Sequence, residues 1–261
     1  MKVITLYSQQ EIEAFLRRNP FLHLYALGDL DDFFWPYTTW YALKDRRHIT
    51  QLALLYTGTS LPTLLGLTEE PIDKMCELLQ SILHLLPVRL YAHLSGDLAT
   101  VFVGDYHINS HGAHYKMGLM HKAQVETIDT SQVVPLSSSD VDELDALYRL
   151  SYPGNWFDSR MLETGCYYGI RHGKALVSVA GIHVYSPKYK VAALGNVTTH
   201  PAYRGQGLAT IVCAKLCQSL LETVDYIGLN VKADKHTAIH SYERLGFEYV
   251  ATYEECALER K

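Results

Sequence analysis

No stretch of this chain approaches the roughly eighteen consecutive apolar residues that a membrane helix requires. The apolar opening, Val3-Ile4-Thr5-Leu6, gives way at Ser8-Gln9-Gln10-Glu11 and is too short for a secretory signal. Dense basic runs are missing as well: Asp45-Arg46-Arg47-His48 is a short turn-like cluster, and the formal net charge is −5. Nucleic-acid binding, which is driven by neutralising phosphates, is therefore not expected. Cysteines are few and scattered (Cys76, Cys166, Cys213, Cys217, Cys256), odd in number and without paired spacing. That excludes a disulfide framework and a zinc knuckle and points to a reducing, cytoplasmic setting, with Cys213 and Cys217 as two buried thiols on one helix face. His107, His111 and His114 have no acidic or cysteine partner nearby in sequence and read as a polar loop before a strand, so no metal is expected. The phosphate-loop pattern Gly-Lys-Ser/Thr and the dinucleotide pattern Gly-x-Gly-x-x-Gly are both absent.

What is present is an ordinary globular composition, 48% apolar and 20% charged over 261 residues, which rules out disorder and allows two domains. Two segments open alike. Val3–Leu6 is a short strand followed by the capping pattern Ser8-x-x-Glu11 and a helix through Ile12, Phe15 and Leu16. Val133–Leu136 is another, followed by Ser139-x-x-Asp142 and a helix through Leu144, Leu147 and Leu150. The parallel continues. In the first half, strands at 38–43, 49–56 and 62–67 precede a helix near 71–85, a strand at 88–93, a short helix and a last strand at 115–121. In the second half, strands at 167–171, 175–184 and 190–199 precede a helix near 207–222, a strand at 226–232, a helix at 236–245 and a strand at 248–254. The expected class is α/β (α+β): two tandem units, each a mixed, mostly antiparallel sheet flanked by helices, over residues 1–125 and 131–261.

The chemistry concentrates in Gly195-Asn196-Val197-Thr198-Thr199-His200-Pro201-Ala202-Tyr203-Arg204-Gly205-Gln206-Gly207-Leu208-Ala209. An apolar strand ends, a proline turn follows, and a glycine-rich loop opens a helix. Glycines let the backbone approach a ligand closely. The first helical turn carries unpaired N–H groups and the positive end of the dipole. Together they suit a pyrophosphate, with Arg204 as an added cation.

Arg204-x-x-Gly207-x-Ala209 matches the Arg/Gln-x-x-Gly-x-Gly/Ala motif of the GCN5-related N-acetyltransferase (GNAT) superfamily. The words around it look like the C-terminal domain of glycine acyltransferases. Downstream, Ala238-Ile239-x-x-Tyr242-Glu243-Arg244-Leu245-Gly246-Phe247 resembles the superfamily's other hallmark. The resemblance covers about residues 131–256. It implies acetyl-coenzyme A as co-substrate, lying in a V-shaped opening between the strand before the loop and the next. It implies that Val197, Thr198 and Thr199 pair with the pantetheine through their backbone. Arg204, Gly205, Gln206, Gly207, Leu208, Ala209 and Thr210 would hold the pyrophosphate, Asn230 would supply a substitute contact for the Asn that Lys235 replaces, and Tyr242 would protonate the departing thiolate.

Besides Lys235, the residues depart from the family in a second respect: Ala193-Leu194-Gly195-Asn196 offers no carboxylate as general base, which leaves His183, Tyr185 and Glu254 as alternatives. The implied activity is acetylation of a primary amine of a small metabolite or amino acid. A protein or peptide acceptor, or a non-catalytic acyl-coenzyme A sensor, stands beside it. In the first half, Leu67-Thr68-Glu69-Glu70-Pro71 replaces the glycine loop with two carboxylates, so that half reads as a degenerate copy. The aromatic stretches Phe33-Phe34-Trp35 and Trp156-Phe157 read mostly as packing between the halves, while the family resemblance implies that the latter loop can line an acceptor pocket. Oligomeric state is not legible.

Overall fold

A computed structural model describes residues 1–46, 48–69 and 71–261. The chain divides into two units. The first comprises Met1–Lys116, Lys232–Asp234 and Val250–Lys261; the second comprises Met117–Val231 and Lys235–Tyr249.

In the first unit β1 (Lys2–Leu6), β2 (Thr38–Asp45), β3 (His48–Tyr56) and β4 (Thr63–Gly66) pair antiparallel in turn. Next, β5 (Arg89–Ser95) runs parallel to β4. The capping pattern forms at α1 (Gln9–Leu16): Ser8 is the N-cap and accepts from the Glu11 amide. A short α2 (Leu24–Gly28) follows. Between β4 and β5, α3 (Asp73–Ile82) buries Met75, Leu78, Leu79 and Ile82, at helical spacing, against Leu43, Leu55, Leu64, Leu90 and Leu94 of the sheet. Each such leucine contributes roughly 1.5–3 kcal/mol through burial.

The second unit repeats the plan. Its strands β7 (Val133–Pro135), β8 (Tyr168–His172), β9 (Ala175–Ser186) and β10 (Val191–Thr199) pair antiparallel, and β11 (Tyr226–Lys232) runs parallel to β10. Before β8 lies α5 (Val141–Ser151), and between β10 and β11 lies α6 (Leu208–Leu220). This last helix is apolar on nearly all sides and buries Val212, Cys213, Ala214, Leu216, Cys217 and Leu220. Burial pushes the Cys213 thiol up to about 12 and Cys217 higher still, so both stay protonated and inert. All five cysteines are free. After β11 come α7 (His236–Arg244) and β12 (Phe247–Arg260). Among the described residues no helix is long and apolar enough to cross a membrane.

Five features differ from the sequence reading. The capping box of the second unit uses Ser137 and Asp140 rather than Ser139 and Asp142, and it starts a 3-10 turn ahead of α5. Leu150 is 56% exposed, and Tyr148 takes its place in the core. The last strand of the first half, β6 (Tyr106–Leu119), starts nine residues early, so His107, His111 and His114 are strand residues and not a loop. Strand β12 does not stop near Glu254. Its Val250–Lys261 segment belongs to the first unit, where Tyr253 to Glu259 pair with Ser95 to Arg89 of β5, with β6 beyond. A short helix, α4 (Lys122–Glu126), which the sequence reading did not place, follows β6.

Candidate functional site

The parallel pairing of β10 with β11 runs from Val191↔Tyr226 to Leu194↔Leu229 and then stops, although β10 continues to Thr199 and β11 to Lys232. Past Leu194 the strands part, and the edge of β10 that faced β11 loses its ladder. Val197 and Thr199 are half-buried while Thr198 between them is buried, as alternation requires. On the other strand Asn230 is the first residue beyond the last pair and is half-buried. The wedge thus lies between the residues that the family resemblance names.

Two bulges in the β9–β10 ladder accompany the parting. Between Ala193↔Val184 and Leu194↔Ile182, β9 carries one extra residue, His183; between Gly195↔Gly181 and Thr198↔Val179, β10 carries one extra. Asn196 in the second bulge has φ +56°, an uncommon conformation that asparagine tolerates better than most residues. Buried side chains hold it there. The Tyr148 phenol donates to its carbonyl at 3.0 Å, and its amide nitrogen donates to the Tyr167 phenol at 2.7 Å. Its amide oxygen faces His183 Nε2 at 3.2 Å. Burial pushes both phenols up, so they serve as neutral hydrogen-bonding groups. Gly195 admits the His183 ring: a Cβ there would lie 2.3 Å from its Cδ2. Asn196, Tyr148 and Tyr167 were not singled out from sequence; the positive φ and their mutual contacts exist only in the fold.

After β10, His200 caps a 3-10 turn, Pro201–Tyr203, by accepting from the Ala202 amide, and Pro201 occupies the position where proline costs no hydrogen bond. The loop then reaches Gly205 and Gly207, at φ +78° and +77°. A Cβ built on either meets nothing within 4 Å, so the space over this backbone is open. Gly207 is the N-cap of α6, no side chain caps the helix, and its first turn has no acidic residue. Donors at Leu208, Ala209 and Thr210 therefore begin a helix of thirteen residues with their dipole uncompensated. Gln206 is exposed beside them. The guanidinium of Arg204 differs from the sequence expectation. Its Nε donates to the Thr199 carbonyl and its Nη2 to the Ser151 carbonyl, both at 3.1 Å. Arg204 thus tethers the loop to the ends of β10 and α5 through two of its donors.

Tyr242 lies on α7, half-buried, with its ring edge-on to Phe247 at 6.0 Å. None of the residues of α7 is buried; Ala238, Ile239 and Tyr242 form a half-covered face. The Gly246 carbonyl accepts from the Met120 and His121 amides and anchors the end of this helix. Lys235 is its N-cap residue and makes no side-chain cap. In the loop after α5, Phe157 packs on Tyr148 and Tyr167, and Trp156 meets the His183 ring edge-on at 6.2 Å. Asn155 beside them keeps a buried amide nitrogen with no hydrogen-bond partner, a donor that a ligand oxygen would satisfy. Of the other two alternatives for the base, the Tyr185 hydroxyl donates to Thr223 at 3.1 Å on the still-paired part of the sheet. Glu254 stands on β12 in the first unit and accepts from Ser110.

Among the described residues the first unit shows no corresponding opening. All of β4 pairs with β5, to Gly66↔Leu94, and the Thr68 amide beyond it donates to the Ser95 hydroxyl at 3.0 Å. Glu69 accepts from Asn19 at 2.5 Å, and α3 begins with Asp73 in its first turn. Glu70 lies outside the described residues. The rings of Phe33 and Phe34 pack on each other, Phe34 packs on Tyr56, and Trp35 stacks on Trp40, all within this unit.

Where the first unit differs most from its sequence reading is around Glu255. Its carboxylate accepts from the Tyr91 and Tyr253 phenols at 2.5 and 2.7 Å, and His93 and His114 approach at 3.6 Å each. His114 thus gains the acidic neighbour that the sequence did not show, yet no group of side chains among the described residues is arranged to hold a metal. Buried Lys116 lies over the Tyr25 and Tyr253 rings at 4.9 and 5.1 Å. Burial lowers Lys116 to about 7 against the pull of Glu255. Burial and Lys116 lower His23 to about 3; burial, only partly offset by Glu255, lowers His93 to about 4. Burial raises Asp29 to about 7.

The sign of the pH dependence follows. Between about pH 4 and 6.5 the unfolded chain binds protons at two histidines that the folded chain refuses, which outweighs the one proton that Asp29 keeps on folding. Between 7 and 10.5 the same holds for Lys116. The midpoint temperature, followed by calorimetry, should fall on acidification from pH 6.5 to 4 and rise from pH 7 to about 8; above that the buried thiols that stay protonated in the folded chain, Cys213 and Cys217 among them, turn the slope downward. Lys116→Met should flatten the alkaline rise alone.

Residues 133–247 match the sequence profile described as the Acetyltransferase (GNAT) family. No curated protein matches the chain. Among solved structures, a putative GNAT-family acetyltransferase from Novosphingobium aromaticivorans is 22% identical with a TM-score of 0.58, over 80% of this chain and 88% of its own. A Drosophila protein superposes with a TM-score of 0.70 at 12% identity over 98% of both chains. A tandem GNAT protein from the clavulanic acid biosynthesis pathway superposes at 0.56 and 14% identity, over 99% of this chain and 98% of its own. At such identities these likenesses speak for the fold, which they extend across both units. The profile match runs over β7 to the start of β12, on a unit whose strands part just before an uncapped helix, and identifies the second unit as a domain of the GNAT family.

Proposed function

We propose that the protein transfers an acetyl group from acetyl-coenzyme A to the primary amine of a small metabolite. One observation carries this reading: β10 leaves β11 after Leu194 and leads, within one strand and one loop, to the open N-terminus of α6. A thioester tail laid along Val197–Thr199 would replace the missing ladder, and its diphosphate would meet the amides from Gly205 to Thr210. Arg204 holds that loop on the strand end. Tyr242 projects from a helix whose apolar face is only half covered, as expected of an element that a ligand completes. A phenol of pKa about 10 can protonate a thiolate whose conjugate acid lies near 8.5 once it is well placed.

The acceptor is read as small because the residues around the wedge, Trp156, Phe157, His183 and Asn155, offer rings and one buried donor rather than a charged track. Calorimetric titration with acetyl-coenzyme A, followed by thiol release over a panel of amines, amino acids and peptides, tests the proposal. Micromolar binding with turnover on small amines is expected. Turnover confined to peptides would make it a protein acetyltransferase, binding without turnover an acyl-coenzyme A sensor, and no binding would refute the reading.

A further inference from the structure

We propose that a cleft in the first unit binds a small zwitterion of the α-amino acid class, at a site independent of the acetyl transfer proposed above. The cleft, of about 400 Å³, opens between the end of α1, the start of β3 and the start of α3, and every described residue lining it belongs to the first unit. Its volume suits a small metabolite. Two of its lining residues, His23 and Gln51, are only 8% and 9% exposed. Among the described residues neither side chain has a hydrogen-bond partner, and none of their ring or amide polar atoms is sealed from solvent. A polar atom that lacks a partner yet keeps contact with solvent opens on the space its residue lines, where a ligand would satisfy it. Burial lowers His23 to about 3, so its imidazole is neutral and offers one donor and one acceptor, as the Gln51 amide also offers both.

The charges at the mouth decide the ligand class. Arg18 and Lys74 stand with Glu69 and Asp73, and all four are exposed. None of the four has an ion-pair partner among the described residues. A ligand of one sign would meet as many like charges as opposite ones, whereas a zwitterion pairs its carboxylate with the cations and its ammonium with the acids. The Arg18 guanidinium lies over the Phe15 ring at 4.8 Å and donates from Nη1 to the Ile49 carbonyl at 3.3 Å, which leaves other donors for a carboxylate. Asn19 donates to Glu69 at 2.5 Å, and its own amide oxygen accepts from the Leu22 amide at 3.1 Å. Glu69 is thereby placed without being neutralised. The acids that bar a diphosphate from this unit, one in the loop after β4 and one in the first turn of α3, are thus the groups that would receive an ammonium. Deeper in the cleft, the Gln51 amide and the His23 imidazole would meet a polar side chain of the amino acid.

The test is calorimetric titration of the full chain with L-serine, L-asparagine and L-glutamine, beside acetate and propylamine, which carry one charge each. At least one amino acid should bind with a dissociation constant of about 1 mM or tighter, and both single-charge probes ~10-fold more weakly or worse. Acetate or propylamine binding as tightly as the best amino acid, or no binding at all, would overturn the proposal. Lys74→Glu, at an exposed position, and Gln51→Leu should each weaken the amino acid about tenfold and leave acetyl-coenzyme A affinity unchanged. Unchanged amino-acid affinity in either variant would place the ligand elsewhere on the chain and equally overturn the site. Should Gln51→Leu not fold, NMR of the unmodified protein decides: the His23 ring signals should move as the amino acid is added, and signals that stay in place with amino acid bound refute the assignment. Acetyl-coenzyme A is titrated separately, so a chain that binds the amino acid but no acetyl-coenzyme A keeps this site and loses only the transfer function.

Discussion

Gly207→Val should weaken acetyl-coenzyme A binding about a hundredfold, close to 2.7 kcal/mol. Two effects add. At φ +77° a β-branched residue is strained, at a cost on the order of 1–3 kcal/mol, and the loop would relax away from this conformation. The new side chain would also project from the N-cap of α6 into the space that is now open within 4 Å, where the diphosphate is expected to approach the backbone. A control separates strain from recognition. Gly173, in the turn between β8 and β9, also has positive φ (+61°) and open space over it. Gly173→Val should lower the midpoint temperature comparably and leave the affinity as it was. Calorimetric titration and thermal unfolding on the two variants give both readings; retained affinity in Gly207→Val would refute the loop's role.

Tyr242→Phe should lower kcat about a hundredfold while leaving acetyl-coenzyme A affinity within about twofold, the pattern of a group that acts only as the thiolate departs. The substitution keeps the ring, and so its edge contact with Phe247, and α7 stays anchored through the Gly246 carbonyl. Loss of fold is therefore not the expected cause of any deficit. Substrates with better thiol leaving groups should narrow the gap, because their sulfur needs less help. A variant with unchanged kcat would take the acid role from Tyr242 and give it to water.

The tandem plan was legible because local signals repeat. A short strand followed by a capped helix occurs at Val3 and again at Val133, and both halves then alternate apolar strands with one helix before a parallel strand. The strand–loop–helix from Val191 to Leu220 was legible as well, since a proline turn, paired glycines and a run of helix formers each act within a few residues. Errors fell where local patterning is weak. Tyr106–His114 is polar and reads as loop, yet it is strand because neighbouring strands satisfy its backbone. Strand β12 was cut short because Glu254 and Glu255 look like the exposed end of a strand. In the fold the second of these is covered by Tyr91 and Tyr253, whose hydrogen bonds, with His93 and His114, hold its carboxyl low against the cost of burial.

Composition and spacing alone thus determined the fold class, the order of elements and the loop on which the family assignment turns, because each follows from interactions among residues near in sequence. The tertiary structure decided three other things: that the chain's last strand segment completes the first unit, that Arg204 serves as a tether, and that His183 and Asn196 sit on opposed bulges where two strands part. These depend on strand register and on contacts between residues far apart in the chain. A one-residue bulge changes both without leaving a mark in the hydrophobic pattern.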